Sequence, residues 1–298
     1  MSIVEKALSK MDKSAQRTAP QRDMPRAAQP PDLEMLPTTS GLGAAAGAIA
    51  DLLDRPGVRR IDVDIERMRQ LGALPPAELQ NRILDQFRRI KWPLIAAASS
   101  DARQAKSNII MITSAQPAEG KSFVTMNLAF SMILDRDSSV LIVDSDSAKQ
   151  DITRLFGLSG SPGLMDYLLD EKLRLEDVVC DTNIEGLKVL PAGKRTPHAP
   201  ELLGSKRMGN LMEALESGAR MRIVLIDSSP LLASNEAQVL ASEVDRVLFV
   251  VRAEGTSQSH VKDALALLDS TQNVSCVLNQ AAASSRDEYY GDYYGQHE

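Results

Sequence analysis

The chain has 298 residues, 43% of them hydrophobic and 25% charged, a balance that suits an ordinary soluble globular protein with one good-sized core. Its net charge of -6 argues against sequence-independent attraction to nucleic acid or anionic lipid, so no nucleic-acid partner is expected. Cys180, Cys276, His198, His260 and His297 are scattered without metal-ligand spacing, and the expectation for the two thiols is that they are buried and reduced.

In the opening MSIVEKALSKMDK, Ile3, Val4, Ala7, Leu8 and Met11 keep helical spacing with Lys6, Lys10 and Lys13 at polar positions, which predicts a short amphipathic helix over residues 2–12. That stretch lacks the apolar core of a signal peptide, and no later one approaches the roughly 18 apolar residues of a membrane span, so a cytoplasmic location is expected. From Ser14 to Pro56 the chain turns to Ala, Pro, Gln and Gly, and residues 1–56 read as a helix on a flexible arm. VRRIDVDIERMRQLGALPP then predicts a short strand and a helix, and ELQNRILDQFRRIKWPLIAAAS a longer helix. Within DQFRRIK, Asp85, Arg88 and Lys91 step by three along one helical stripe. Spacing alone leaves two readings open, a solvated ion-pair row or a contact with another subunit.

From Asn108 onward, the short apolar runs NIIMIT, VLIVD, LKVLPA, IVLID, RVLFVVRA and VSCVLN alternate with helical segments. Continuous apolar strands separated by helices predict an α/β domain of about 180 residues, with a mainly parallel sheet covered by helices on both faces. The first run leads into TSAQPAEGKSF and then the helical VTMNLAFSMIL, and Ala115, Gly120, Lys121 and Ser122 have Walker A spacing with Ala at the usual first Gly. A loop at a helix amino end aims backbone N–H groups at phosphate oxygens, and Gly120 permits their close approach. Lys121 suits the β and γ phosphates, and the Ser122 hydroxyl suits Mg2+. The fold expectation is therefore a P-loop NTPase.

The second run ends SVLIVDSDSAKQ, placing Asp144 and Asp146 at or just past a strand's carboxyl end, where parallel-sheet ligands bind. IVLID delivers Asp227 as a Walker B carboxylate able to hold Mg2+ directly or through water. Asn279 closes VSCVLN and is open to a turn role as well as to a ligand contact. Beyond it, DEYYGDYYGQHE holds four of the five tyrosines, Tyr289, Tyr290, Tyr293 and Tyr294, among Gly, Asp and Glu, the composition of a solvated, disordered tail.

This order of P-loop, D-S-D strand, Walker B strand and tyrosine-rich tail resembles the bacterial tyrosine kinases of polysaccharide synthesis and export. The similarity extends through RLFGLSGSPGLMDYL, VLPAGKRTPHAPELLGSKRM and VDRVLFVVRAEGTS; SIVEKAL and IDVDIERMRQLGALPP are similar to the exosortase-associated branch, whose kinase is a separate chain. The resemblance implies a kinase domain over residues 57–283, with the tail at 284–298 supplying Tyr289, Tyr290, Tyr293 and Tyr294 as phosphate acceptors. It implies ATP bound by Ala118, Glu119, Gly120, Lys121, Ser122 and Phe123, with Asn279 at the adenine; Mg2+ held by Ser122, Asp144 and Asp227; and catalysis by Lys121, Asp144, Asp146 and Asp227. Asp144 is implied as the base or orienter of the attacking phenol.

Asp85, Arg88 and Lys91 stand where the family has Glu, Arg and Arg, which implies a subunit interface in a homo-oligomeric ring. The family further implies a membrane chain-length protein as activator, recruiting the kinase to the inner face of the membrane through the arm or the Trp92 region, and a phosphotyrosine phosphatase. One departure is DSDSAKQD, where the family usually continues with arginines and a proline; here Lys149 is the one cation. Two rivals are a partition or division-site ATPase switch and a nucleotide-binding scaffold of the export machinery. The first usually carries an extra lysine early in the P-loop, and TSAQPAEGKS has none before Lys121.

Overall fold

The computed structural model describes residues 59–99, 108–135, 138–216, 222–269 and 272–281. The expected arm over 1–56 and the tyrosine tail over 284–298 lie outside the described residues. In chain order the elements are β1 (Arg59–Ile61), α1 (Ile65–Gln70), α2 (Gln80–Ser99), β2 (Ile109–Ser114), α3 (Lys121–Met132), β3 (Ser139–Asp144), α4 (Asp151–Leu155), α5 (Leu164–Leu169) and α6 (Leu175–Val178). There follow β4 (Cys180–Thr182), β5 (Leu187–Leu190), α7 (Ala199–Leu203), α8 (Lys206–Glu216), β6 (Arg222–Asp227), α9 (Asn235–Ser242), β7 (Arg246–Arg252), α10 (Gln258–Leu265) and β8 (Asn273–Asn279). All six predicted apolar runs are strands, and the two helices predicted before them are α1 and α2.

The eight strands form one sheet in the order β1-β4-β5-β3-β6-β2-β7-β8. Every pairing is parallel except β4 with β5. β2 and β6 are buried at every position, because side chains that alternate across a strand meet helices on both sides. Ile109, Met111, Val224 and Ile226 enter a core with residues of α5 to α10, among them Leu164, Leu175, Leu203, Leu211, Leu240 and Ala264. Their neighbours Ile110, Ile112, Ile223 and Leu225 enter a second core with Met68 of α1, Phe87 and Leu94 of α2, Val124 and Leu128 of α3 and Ile152 of α4. The expected doubly covered α/β architecture follows from this alternation.

Three features differ from expectation. β4 is an unpredicted strand of three residues, too short to show periodicity; it turns back on β5 through the registered pair Asp181 and Lys188, joined by an ion pair at 3.0 Å. Cys180 is buried as expected, but Cys276 is exposed, because β8 is the edge of the sheet and has a neighbour on one side alone among the described strands. Lys91 does not share an exposed row with Asp85 and Arg88. The latter two form a solvent-exposed pair at 2.6 Å, whereas the Lys91 ammonium turns inward, donating to Ser131 O at 2.8 Å and to Asp135 Oδ1 at 2.9 Å. With Phe87 and Phe123 stacked at a tilt, centroids 6.2 Å apart, this contact seats α2 on α3. Lys91, a buried ammonium with intrachain partners, therefore does not belong to the solvated ion-pair row that spacing left open.

Candidate nucleotide and phosphoryl-transfer site

β2 lies inside the sheet, flanked by β6 and β7, so the loop after it opens at the carboxyl edge between two strands. Residues 115–120 form that loop, and α3 begins at Lys121. Two left-handed residues shape it, Ala118 at φ 65° and Gly120 at φ 91°. Glu119, nearly fully buried, closes the loop from inside: Oε2 accepts from the Gln116 N–H at 2.8 Å, and Oε1 accepts from the Thr256 hydroxyl after β7. The Asn279 side-chain amide donates to Glu119 O at 2.9 Å, and a Cβ on Gly120 would come within 2.0 Å of that same Nδ2. The structure thus brings Asn279 onto the loop backbone, where it braces the position that requires glycine. Phe123 lies one helical step further, its ring against Phe87.

Lys121 is only 7% exposed, and Asp144, Asp146 and Asp227 are buried beside it. Asp144 and Asp227 are register partners across β3 and β6, which places their carboxylates side by side at the sheet edge. Asp227 accepts from Ser122 Oγ at 2.7 Å and from Thr125 Oγ1 at 3.0 Å. Asp144 accepts from the Thr153 hydroxyl at 2.7 Å, the Thr153 N–H at 2.8 Å and the Asp146 N–H at 3.2 Å. Asp146 lies just past the strand and caps its own turn by accepting from Lys149 N at 3.0 Å.

Burial raises the pKa of Asp144 to about 8, with the Asp227 charge adding to it and the Thr153 hydrogen bonds opposing. Burial likewise lifts Asp227 to about 6 against the pull of Ser122, Lys121 and Thr125. Lys121 is held below the usual lysine range, again chiefly by burial, while Asp227 and Asp146 counteract it. With three buried acidic groups around one lysine, a bound cation would favour their ionised forms.

Among the described residues, no cluster of three His, Cys, Asp or Glu side chains forms a metal cage. Mg2+ rarely uses one; it is bound by one or two carboxylates, water and substrate phosphates. The Ser122 hydroxyl and Asp227 carboxylate, held 2.7 Å apart at the start of the phosphate-loop helix, fit that donor set.

Four residues join the site without having been singled out. Thr125 lies one turn after Lys121 and was findable from helical spacing. Thr153 and Thr256 come from distant segments. Glu236, near the start of α9, accepts from Ser147 Oγ at 2.9 Å; its pKa is raised by burial and by the charge of Asp146, and its Oε2 is buried with no hydrogen-bond partner among the described residues. No local motif marks it. Lys149 is exposed at the mouth.

No protein-family profile matches the chain. Among known proteins, it is 36% identical over 214 residues to the tyrosine-protein kinase YwqD of Bacillus subtilis, an alignment covering 71% of this chain and 86% of that one. It is 29% identical over 219 residues to the putative tyrosine-protein kinase CapB of Staphylococcus aureus, covering 73% and 92%. Against the putative tyrosine-protein kinase EpsB of Ralstonia nicotianae it is 34% identical over 194 residues, 64% of this chain but 25% of the relative. The chain therefore spans most of some relatives and about a quarter of others. Among solved structures, the chimerical protein CapA2B2 superposes with a TM-score of 0.60 at 26% identity, covering 80% of this chain and 100% of that one. The VpsO kinase domain does so with a TM-score of 0.57 at 27% identity, covering 70% and 100%.

Proposed function

The chain belongs to the family of bacterial tyrosine-protein kinases, and from that premise we propose that it is an ATP-dependent autokinase. Its acceptors are Tyr289, Tyr290, Tyr293 and Tyr294 of another copy, and its role is in exopolysaccharide polymerisation or export. The observation that carries this reading is the hydrogen bond from Ser122 to Asp227 at the mouth of the phosphate loop, with Lys121 and Asp144 buried beside it.

In this reading Ala118 to Phe123 cradle the phosphates with backbone N–H groups, Lys121 meets the outer phosphates, and Asn279 reaches the nucleotide from its place on the loop. Ser122 and Asp227, with Asp144 as a further donor, would hold Mg2+, which would supply neutralisation of the phosphate charge. The phenolic oxygen attacks the terminal phosphorus, the bond to the ADP oxygen breaks, and the phenolic proton passes to Asp144. Asp146 completes the acidic rim and orients its turn through Lys149 N. Little covalent chemistry falls to the protein; positioning and charge do the rest.

An acceptor segment at 284–298, rich in Gly, Asp and Glu, can be threaded into a neighbour's site without unfolding a core. Asp85 and Arg88, exposed on α2, form one side of a head-to-tail contact that closes a ring, and residues 57–283 are the kinase domain that forms it. Residues 1–56 or the exposed Trp92 meet a membrane chain-length protein that recruits and activates the kinase. A phosphatase resets the tail. No helix of the described residues is long and apolar enough to cross a membrane, which is compatible with recruitment by a partner. Relatives covering most of this chain are named kinases, which favours this reading over a partition-type ATPase switch.

The test is mass spectrometry of the purified chain after incubation with MgATP, alone and with its membrane activator. Phosphate is expected on the four tail tyrosines and is expected to vanish in Lys121→Met. A wild-type chain that never labels those positions in the activator's presence overturns the assignment, however well it binds ATP.

A further inference from the structure

A groove of about 780 Å3 runs between α2 and β8 and reaches Gly120 at one end. Its walls are apolar: Ile83, Phe87 and Ile90 of α2, Phe123 of α3, and Val277 and Leu278 of β8. Two exposed arginines, Arg82 and Arg89, stand among them. β8 is an edge strand of seven residues, NVSCVLN, with no charge and no proline, and Leu278 is 64% exposed. An apolar edge of that length lacks the devices that keep sheet edges from pairing, so it calls for a cover.

We propose that the cover is the chain's own tyrosine segment, with residues around 287–294 lying along the groove of the same molecule. The chain itself leads there. It leaves β8 through Gln280 and Ala281, and both line the groove, so the segment beyond is tethered at its mouth. A short tether gives an effective concentration on the order of millimolar, enough to make a weak contact persistent. Tyr289 follows Ala281 by eight positions. That length spans at most about 26–29 Å and suffices to turn back along α2. Charge is complementary, since Asp287, Glu288 and Asp292 flank the tyrosines and Arg82 and Arg89 border the groove. The phenols have the right shape, an apolar ring for the wall and a hydroxyl left at the rim.

A tail stored there keeps its hydroxyls away from Lys121 and Asp144 of every copy, and it must leave the groove before serving as an acceptor. The contact goes beyond the kinase reading and does not need phosphate transfer. Its test therefore uses a chain in which transfer is blocked.

In full-length protein carrying Lys121→Met and Tyr290→Cys, without nucleotide, mild oxidation is expected to join position 290 to Cys276, which is exposed and lines the groove while Cys180 is buried. Non-reducing peptide mapping should find this disulfide within single chains, and adding Arg82→Glu with Arg89→Glu should lower its yield at least fivefold. Leu278→Glu, at an exposed position, should lower it independently. The proposal is overturned if the disulfide is absent, if it forms only between chains, or if neither the charge reversals nor Leu278→Glu reduce it. Because no phosphate is transferred in this experiment, its failure leaves the acceptor assignment standing, and failure of tail labelling in the wild type leaves this contact standing.

Discussion

Gly120 concentrates two demands in one residue. Its φ of 91° is left-handed, and the space where a side chain would start is occupied by the Asn279 amide. Left-handed backbone costs an L-residue about 1–2 kcal/mol, and the collision must also displace Asn279 from Glu119 O. Gly120→Ala should therefore weaken nucleotide binding by roughly tenfold or more in calorimetry. Asn279→Ala in the same chain should restore only part, because it relieves the collision and not the dihedral.

Asp144 and Asp227 make a second residue-scale prediction. Burial raises them to about 8 and about 6 from an ordinary 3.8, so the folded chain keeps protons that the unfolded chain has released. Their contribution to stability is full below the ordinary value and is lost as pH rises through the folded values. For the metal-free, nucleotide-free chain, the urea midpoint should fall between about pH 5 and about pH 8.5, and Asp144→Asn should flatten the upper part of that decline. A midpoint independent of pH in this window contradicts the burial argument.

At the scale of elements, α2 presents two different surfaces. Lys91 is buried and bound to Ser131 O and Asp135, so Lys91→Met strips partners from groups under the helix and should cost about 1–3 kcal/mol, read as a lower thermal midpoint. Asp85 and Arg88 pair in solvent, and such pairs are worth about 0–1 kcal/mol. Arg88→Glu should leave the midpoint nearly unchanged and lower the oligomer mass in light scattering. A large loss of stability with unchanged mass would assign Arg88 to the fold instead of to an interface. Equal spacing by three placed all three residues on one stripe in the sequence; α3, arriving from forty residues away, decided which one is buried. β4 was illegible for a similar reason, since three residues carry no period and its direction is set by β5.

At the scale of the whole molecule, the proposed autokinase reading couples site and tail. Each phosphate adds roughly 1.5 to 2 negative charges, and a tail already bearing Asp287, Glu288, Asp292 and Glu298 would then be repelled by the acidic pocket. MgATP should therefore reduce the oligomer mass of the wild type but not of a chain with Tyr289, Tyr290, Tyr293 and Tyr294 all changed to Phe. Dissociation of that variant as in the wild type would remove charge as the driving force. With charge as the driver, the proposed cycle runs between an assembled, unphosphorylated ring and separated, phosphorylated chains.

By itself the sequence determined the α/β class, the six apolar strands, the phosphate loop and the acidic groups at strand ends, because each of these is a local signal: an uninterrupted apolar run, a glycine before a lysine, an aspartate closing a strand. Tertiary structure alone decided that Asp144 faces Asp227 across two strands, that Thr153, Thr256 and Glu236 complete the pocket, that Lys91 turns inward, and that Cys276 lies on an open edge. Those facts depend on which distant segments the sheet order makes neighbours, and burial, which sets the charge state of the site, exists only once they have met.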